Sequence, residues 1–475
     1  MPRSATPIRA LAASALLPLA LAGCVMHPAP EIATPTPDLP AAFFYTPDAR
    51  TGAGLAELMP NADPAYRTLS TAAISDAPSL AEALARIESA RAGARRAGAE
   101  RLPNITADGN VRRNRINTAQ FGQAGQQGFI PEEQTSYGAN ITASWDPDIF
   151  GRLKAQERAA LARIDAASAQ AQGVRLALLA EIAASVTDWR TLDARAAAIA
   201  ADVAAAERLA ALAKVREDAG IAPGLDRIRA EATARSSQSR SAALESERVR
   251  LVGRLVTLTG QDAASVRAAL ASAPPALAPA AAPAALPSEL LANRPDVAAA
   301  AANLTASDAD LAAAARARFP RITLSGVIGL LAFDPEDFFD EDSLVGTLTG
   351  AIAWPVLDFG RVGSQIDASA ADKRAAFAAY RGAVFQALGD AEAAYGLVAA
   401  TDAEAALAID ERDQLERAAS LADTRYRAGL ASFLEVLEAR RAADASGERA
   451  AAAQGRAARA RILLWQALGG EVETD

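Results

Sequence analysis

The sequence predicts a mixed α and β fold that combines long antiparallel α-helical coiled coils with the strands of a transmembrane β-barrel. Three observations support this prediction. The 475-residue chain contains two copies of one unit, each copy holds two stretches of alternating apolar and polar residues, and each copy ends in long proline-poor, alanine-rich stretches. Alternation with a period of two is typical of strands. Alanine has the highest intrinsic helix propensity, so the rest of the pattern predicts long, closely packed helices.

The N-terminus predicts a secretory signal that ends in a lipid-attachment site. A positively charged start is followed at 11–21 by an apolar run that is too short to span a bilayer. LAGC at 21–24 resembles a bacterial lipobox, in which a fatty acid such as palmitate is attached to Cys24. Cys24 is the only cysteine, so it forms no internal disulfide; an ordinary leader with an incidental cysteine is the alternative. Val25 replaces the aspartate that usually retains bacterial lipoproteins at the inner membrane, which favours the outer membrane.

Composition excludes several functional classes. The net charge of −9 argues against a nucleic-acid partner. His27 is the only histidine, so zinc sites built on histidine or cysteine and histidine-dependent catalytic triads are effectively excluded, and we expect no cofactor and no metal. Outside the signal there is no apolar run of about 18 residues or more, so any membrane passage must use strands.

The internal duplication divides the chain. LPNIT at 102–106 returns as FPRIT at 319–323, WDPDIFGR at 145–152 returns as WPVLDFGR at 354–361, and AGIAPGLD at 219–226 matches AGLASFLE at 428–435. A period this long indicates a duplicated domain and not a solenoid. The predicted divisions are a signal peptide at 1–23, a lipid-anchored tether and equatorial segment at 24–66, a first repeat at 67–262, an Ala/Pro-rich linker at 263–287, a second repeat at 288–470 and a tail at 471–475.

Each repeat begins with a helix that is followed by two predicted strands, at about 104–114 and 136–146 in the first repeat and about 321–331 and 344–354 in the second. Their apolar faces end in Trp145 and Trp354. Strands of this length with a terminal aromatic fit a membrane β-barrel with an aromatic girdle. A soluble sandwich with buried tryptophans is the alternative.

The strands lead into two predicted helical hairpins. Long helices are expected at 152–218 and 361–427, with return helices at 224–260 and 433–468. Each long helix ends at Ala-Gly, a C-terminal glycine cap. Charged residues interrupt the apolar positions, which indicates coiled-coil packing and not a membrane span.

Stoichiometry follows from the strand count. Membrane barrels need at least about eight strands, and a barrel of eight is filled by its own side chains. With four strands per chain, a conduit needs more than two chains. A ring of three gives about twelve strands and a ring of four about sixteen; the residues alone leave both open.

Further motifs carry a family resemblance. LPSELL at 286–291, RPDV at 294–297, FPRITL at 319–324 and RYRAG at 425–429 resemble the TolC/OprM-like outer-membrane efflux lipoproteins, including the NodT-like members. The resemblance implies a homotrimer with a twelve-stranded barrel in the outer membrane and a helical barrel in the periplasm. It also implies a periplasmic adaptor, an inner-membrane pump that is usually of the resistance-nodulation-division class, passive conduction and no enzymatic activity.

The resemblance also assigns site residues. It implies that Leu434, Glu435 and Glu438 line the periplasmic aperture, and that Asp226, Arg425 and Tyr426 belong to the groups that tie neighbouring hairpins together. OprM-like members tend to have one acidic residue where this chain has both Glu435 and Glu438, as in TolC, so the residue at the narrowest point is left open.

Each of these residues has a purely structural alternative. Ser432 and Glu435 form an S-x-x-E capping box, so Glu435 could cap the returning helix. Glu438 lies three residues before Arg441 and could pair with it on the helix surface. Tyr426 could be a packing aromatic.

Two alternative functions stay open beside an efflux exit duct. One is the outer-membrane component of a type I secretion system. The other is a lipid-anchored periplasmic coiled-coil scaffold without a pore. An enzyme that uses paired carboxylates is a distant third.

Overall fold

The computed structural model describes residues 30–46, 54–115, 117, 132–273, 280–284, 287 and 293–470. Cys24 and the predicted lipobox lie outside the described residues. The chain forms two compact units, and each takes segments from both sequence repeats. Among the described residues, the first unit holds the segments up to Pro35, from Glu88 to Ala166 and from Ala301 to Ala379, and the second unit holds the remainder.

The first repeat opens with two helices where the sequence predicted one. A short 3-10 helix at Leu55–Leu58 precedes helix α1 at Pro64–Asp76 and helix α2 at Pro78–Ala99. The Asp63 carboxylate accepts a hydrogen bond from Ala65 N at 2.8 Å and caps α1. Ala77 is extended, because the residue before a proline is disfavoured in the helical region, so the helix is interrupted there. The predicted boundary at residue 66 therefore falls inside α1.

The strands form one antiparallel sheet in the first unit. Strands β1 at Asn104–Arg115, β2 at Glu133–Trp145, β3 at Arg321–Ala332 and β4 at Leu344–Ala353 follow one another in that order. The β2–β3 pairing joins the two repeats. The strand bounds differ from the predicted ones by up to three residues.

The register places the predicted apolar positions of all four strands on one face. Ile105 pairs with Ala143, Ile141 pairs with Ile328, and Gly326 pairs with Leu348, so the alternation seen in the sequence continues across the sheet. Several of these side chains are exposed in the single chain, and Leu348 is 86% exposed. A contiguous exposed apolar surface of this kind marks a membrane or protein contact.

The two hairpins occupy the predicted positions. Helix α3 spans Arg152–Asp218 and is followed by α4 at Gly224–Thr259; α7 at Arg361–Arg427 and α8 at Phe433–Ala467 form the second hairpin. The first turn is closed by Gly220 with φ 70° and by a bond from Ile221 N to Arg216 O at 3.0 Å. The second is closed by Gly429 with φ 75° and a bond from Leu430 N to Arg425 O at 2.8 Å. This left-handed glycine cap needs a residue without a Cβ.

None of the helices in the described part of the chain combines the length and the hydrophobicity of a membrane span.

The predicted linker contains a helix that composition did not indicate. Helix α5 at Ala263–Leu270 is capped by the Asp262 carboxylate, which accepts bonds from Ala264 N and Ser265 N, and these bonds lower the pKa of Asp262. Val266 and Leu270 are fully buried in the core of the second unit. A helix of this length shows too few turns for its periodicity to stand out in an alanine-rich background.

The rest of the linker is anchored where it is described. Arg461 Nε donates to Ala280 O at 2.7 Å, and Tyr395 Oη donates to Pro283 O at 2.8 Å. Helix α6 at Pro295–Arg316 then leads into β3. The linker is therefore held against α7 and α8 by two buried side chains.

The main core lies in the second unit. Trp465 is buried, and Trp189 packs partly buried against the same cluster. Arg190 holds Asp63 with two hydrogen bonds, from Nε at 2.9 Å and from Nη2 at 3.0 Å, and thereby fixes the start of α1 on α3.

Candidate functional site at the hairpin turns

The predicted aperture residues lie together at the start of α8. Leu434, Glu435 and Glu438 are all exposed within its first two turns. Residues three and four positions apart share a helix face, so Glu438 lies beside both Leu434 and Glu435 on one surface. One chain thus presents two carboxylates and one leucine at the turn of its second hairpin.

Glu435 caps α8, as the capping-box alternative predicted. Ser432 N donates to Glu435 Oε2 at 2.6 Å, and Glu435 N donates to Ser432 Oγ at 3.2 Å. The backbone bond from Ser432 is the largest of the effects that lower the pKa of Glu435, followed by the Ser432 hydroxyl; Arg425 adds a smaller electrostatic contribution. The carboxylate is therefore held ionised at an exposed helix N-terminus, where the helix dipole also favours negative charge.

Glu438 does not pair with Arg441, so its structural alternative is wrong. Among the described residues, Arg441 instead donates from Nε and Nη2 to Thr233 Oγ1 of α4, at 3.1 and 2.6 Å. The Arg441 guanidinium thereby joins the second hairpin to the first. Glu438 is left as an exposed carboxylate beside Glu435.

Tyr426 is a packing aromatic, as its structural alternative predicted. Its side chain is buried in a cluster that contains Leu209 of α3 and Phe433 of α8, and the Tyr426 and Phe433 rings lie 5.9 Å apart. The guanidinium carbon of Arg216 lies 4.9 Å from the centre of the Tyr426 ring. A cation over an aromatic face is attractive, so Tyr426 holds residues of both hairpins.

Asp226 and Arg425 occupy less constrained positions. Asp226 lies half-buried in the first turn of α4, and Arg425 is exposed in the last turn of α7. Within the described chain, no hydrogen bond or ion pair joins Asp226 to Arg425 or Tyr426. The roles of these three residues between neighbouring hairpins stay predictions.

An ion pair that the sequence did not indicate crosses the first turn. Arg227 donates from Nε to Glu217 Oε2 at 2.6 Å and from Nη1 to Glu231 Oε1 at 3.0 Å. The contact with Glu231 follows from the i, i+4 spacing on one helix. The contact with Glu217 joins the end of α3 to the start of α4, and only the closed turn brings these residues together.

Both hairpins also contribute to an ionic cluster that was not predicted from the sequence. Its members are Asp202 of α3, Arg240 of α4, Glu416 of α7, and Arg440, Asp444 and Glu448 of α8. The spacing of Arg440, Asp444 and Glu448 on one helix face was a visible signal. Asp202 stands alone in an alanine-rich stretch and gave no signal of its partners.

The predicted interface tryptophans have the same role in both repeats. Trp145 Nε1 donates to Arg101 O at 2.9 Å, and Trp354 Nε1 donates to Arg318 O at 3.0 Å. Each indole therefore fixes the end of a strand to the turn that precedes the first strand of its own repeat. A ring with an apolar body and a satisfied N–H suits a membrane interface, although this placement stays a prediction.

No group of three or more His, Cys, Asp or Glu side chains in the described ranges could hold a metal ion.

Comparison with known proteins supports the family resemblance of the sequence. The family model described as outer membrane efflux protein matches residues 69–261 and 286–470. Outer membrane protein OprJ of Pseudomonas aeruginosa is 31% identical over 438 residues, which cover 90% of this chain and 88% of OprJ. Pyoverdine export outer membrane protein OpmQ of the same organism is 30% identical over 416 residues, covering 87% of this chain and 86% of OpmQ.

A solved structure shares the fold over almost the full length. The outer-membrane channel OprN superposes with a TM-score of 0.83 at 26% identity, covering 93% of this chain and 98% of that chain. The similarity therefore extends over the sheet and both hairpins.

Proposed function

The chain belongs to the outer membrane efflux protein family, and we therefore propose that it forms the exit duct of a tripartite efflux system, which conducts substrates passively to the exterior. The family consists of outer-membrane channels and not of enzymes, and we propose no catalytic activity for this chain. The observation that carries the proposal is the match of both repeats to the family together with the exposed apolar face of the sheet.

We propose that three copies close the sheet into a twelve-stranded barrel. In one chain the sheet ends at β1 on one side and at β4 on the other, and each edge strand pairs on one side only. Unpaired strand edges favour pairing with another chain. Inside a bilayer every backbone polar group must be satisfied, so the edge of one copy must pair with the edge of the next.

The duplication supports a specific register between copies. Strand β4 corresponds to β2, with Trp354 in the place of Trp145, and β1 corresponds to β3, with Ile105 in the place of Ile322. Since Trp145 pairs with Leu324, the equivalent contact sets Trp354 opposite Ala107 of the next copy. This register keeps the apolar positions of β4 and β1 on one face.

We further propose that the turns of the second hairpin form the periplasmic aperture. Leu434, Glu435 and Glu438 would line it in each copy, and Asp226, Arg425 and Tyr426 would belong to the contacts that keep it closed. Support comes from the exposed position of the first three residues and from the packing of Tyr426 between the hairpins. The proposed partners are a periplasmic adaptor and an inner-membrane pump of the resistance-nodulation-division class.

The proposed anchor is a fatty acid on Cys24. Replacing Cys24 by serine is expected to abolish metabolic labelling with a fatty acid while the trimer still forms, because the barrel alone can hold the protein in the membrane. Label that persists on the serine variant would reject the lipid anchor.

Planar-bilayer recording tests the duct directly. Purified protein is expected to give discrete single-channel conductance. The scaffold without a pore predicts a silent bilayer even when the protein is folded and assembled, so a silent bilayer with assembled protein rejects the proposed function.

A further inference from the structure

Two buried carboxyl groups meet between the hairpins. Asp202 of α3 and Asp444 of α8 are 5% and 4% exposed, and they lie within hydrogen-bonding reach of each other. Because α3 belongs to the first hairpin and α8 to the second, this contact joins the hairpins. Asp444 lies 11 residues beyond Phe433, the first residue of α8, which places the pair about 16 Å from the second turn at 1.5 Å per residue.

The arginines beside the pair are shared with other carboxylates. Arg240 Nη2 of α4 lies 3.6 Å from Asp202 Oδ2, while its Nη1 donates to Glu448 Oε2 at 3.1 Å. Arg440 Nε lies 3.0 Å from Asp444 Oδ1, while its Nη1 donates to Glu416 Oε1 of α7 at 3.1 Å. Two guanidinium groups therefore face four carboxyl groups.

The remaining charge around the cluster does not change this balance. Arg195 of α3 donates to Glu448 Oε1 at 2.8 Å and to Glu247 Oε2 of α4 at 3.2 Å. It brings one further positive charge and one further carboxylate. The cluster therefore holds five carboxyl groups against three guanidinium groups, and only Asp202 and Asp444 among these carboxyl groups are buried.

In the described part of the chain, one oxygen of each carboxyl group also lacks a hydrogen bond, because the neighbouring arginines are not aligned to donate to it. Within the described residues, neither Asp202 Oδ2 nor Asp444 Oδ1 accepts a hydrogen bond, although both atoms are buried. A buried ionised carboxylate without donors is costly. One proton shared between the two groups supplies the missing donor and removes one charge.

The pKa values of both carboxyl groups are raised, which agrees with this geometry. Burial is the largest effect that raises the pKa of Asp202, and the hydrogen bond and charge of Asp444 raise it further, to about 7, against the opposing effects of Arg240 and Arg440. Burial also raises the pKa of Asp444. The pair therefore holds its extra proton below neutral pH and loses it as the pH rises above neutrality.

We propose that the Asp202–Asp444 pair is a proton-dependent contact that holds the second hairpin against the first in the resting duct, so that loss of the shared proton favours opening. The proposal rests on the proposed duct function and adds its regulation by periplasmic pH. In the closed form the shared proton bridges α3 and α8. In the open form the separated carboxyl groups are hydrated and bind the proton weakly, so protonation shifts the population toward the closed form.

The sign and size of the effect follow from linkage. If opening returns Asp202 to its ordinary pKa, the ratio of open to closed form should rise about tenfold for each pair between about pH 6 and about pH 8, and about a thousandfold for a trimer whose three copies open together. Conductance of the assembled trimer in planar bilayers, recorded at the same pH on both sides, measures this ratio.

Asparagine variants isolate the pair. Asp202→Asn supplies an N–H donor in place of the proton, so the variant is expected to stay mainly closed at about pH 8 and to lose its pH dependence. Asp444→Asn makes the same change from the other hairpin and should behave alike. Asp410→Asn, an exposed carboxylate on α7, is the control and should keep the parent's pH response.

The outcomes separate this proposal from the duct function. A parent that conducts equally at both pH values, or asparagine variants that both keep the parent's response, would overturn the proton-dependent contact and leave the duct intact. No conductance under any condition would reject the duct itself. If neither variant inserts, infrared titration of the parent tests the proposal instead. The proposal is overturned if the band of the protonated carboxyl group persists unchanged above about pH 8, or if this band is absent at about pH 6.

Discussion

At the residue scale, the two exposed carboxylates of the second hairpin turn differ in their structural role. Glu435 closes the capping box of α8 and also presents a carboxylate to the turn surface, so its part in folding keeps it ionised. Among the described residues Glu438 forms no such bond, so its proposed role at the aperture is separate from any role in folding. The two positions therefore predict separable effects on stability and on conduction.

Charge removal at the aperture is the first test at this scale. Three copies each of Glu435 and Glu438 around one opening would attract cations. Glu438→Gln should weaken cation selectivity without loss of stability, whereas Glu435→Gln should weaken selectivity and slightly lower the free energy of unfolding, because glutamine keeps the capping bond but loses the charge that a helix N-terminus favours. Reversal potentials under a salt gradient and denaturant unfolding measure both effects. Unchanged reversal potentials in the double variant would remove these residues from the aperture.

The two faces of the sheet give the second test. Ile328 lies on the exposed apolar face, and Ser325 lies on the opposite face of the same strand. Ile328→Arg should impair membrane insertion at a cost of about 2 to 4 kcal/mol, because it places a charge in lipid, while Ser325→Arg should be tolerated. Heat-modifiable migration of outer-membrane fractions reports insertion. Equal tolerance of both arginines would contradict the assignment of the apolar face to lipid.

At the scale of elements, the hairpins are joined by contacts of several kinds. Arg441 bonds Thr233, Glu448 binds both Arg195 and Arg240, and Tyr426 packs between α3 and α8. The packing contact and the charged hydrogen bonds lie at different distances from the turns of the same two hairpins. Removing one contact should therefore loosen the hairpins locally without unfolding them.

Tyr426 allows packing and hydrogen bonding to be tested separately. Tyr426→Ala should destabilise the protein by about 3 kcal/mol and raise resting conductance, since it leaves a cavity between α3 and α8. Tyr426→Phe keeps the ring and should retain the parent's stability. Thermal unfolding and bilayer recording of both variants are required. A rise in resting conductance with Tyr426→Phe alone would show that the hydroxyl, and not the ring, holds the closed form.

At the scale of the whole molecule, the duplication has two consequences. The two compact units do not follow the two repeats, because each unit collects equivalent segments from both. In the proposed trimer, the β2–β3 contact inside one chain is the template for the contact between chains. The same strand types should meet again wherever β4 of one copy reaches β1 of the next.

Disulfide cross-linking tests that register. In the proposed register Gly350 lies opposite Val111 of the next copy, so the variant with both Gly350→Cys and Val111→Cys should give covalent trimers under oxidation. The variant with Gly350→Cys and Arg112→Cys is the control, because neighbouring residues of a strand point to opposite faces. Non-reducing gels measure the product. Equal cross-linking of both pairs, or of the control alone, would contradict the register.

The sequence by itself determined the local features of this protein. The lengths of α3 and α7, the glycine caps at Gly220 and Gly429, the capping box at Glu435 and the alternation of the strands all depend on residues within a few positions of each other. Such features follow from periodicity and from short-range hydrogen bonds, which a single sequence displays directly.

Only the tertiary structure decided which distant side chains meet. Tyr426 became a packing residue against α3, Arg441 bonded Thr233 instead of Glu438, the linker contained a buried helix, and Asp202 met Asp444 across 242 positions of sequence. Alanine-rich helices offer many nearly equivalent faces for packing, so the sequence pattern does not specify which residues approach one another. The packing of whole helices decides which residues meet. In this chain the packing places the carboxyl group of Asp202 beside that of Asp444, which raises its pKa.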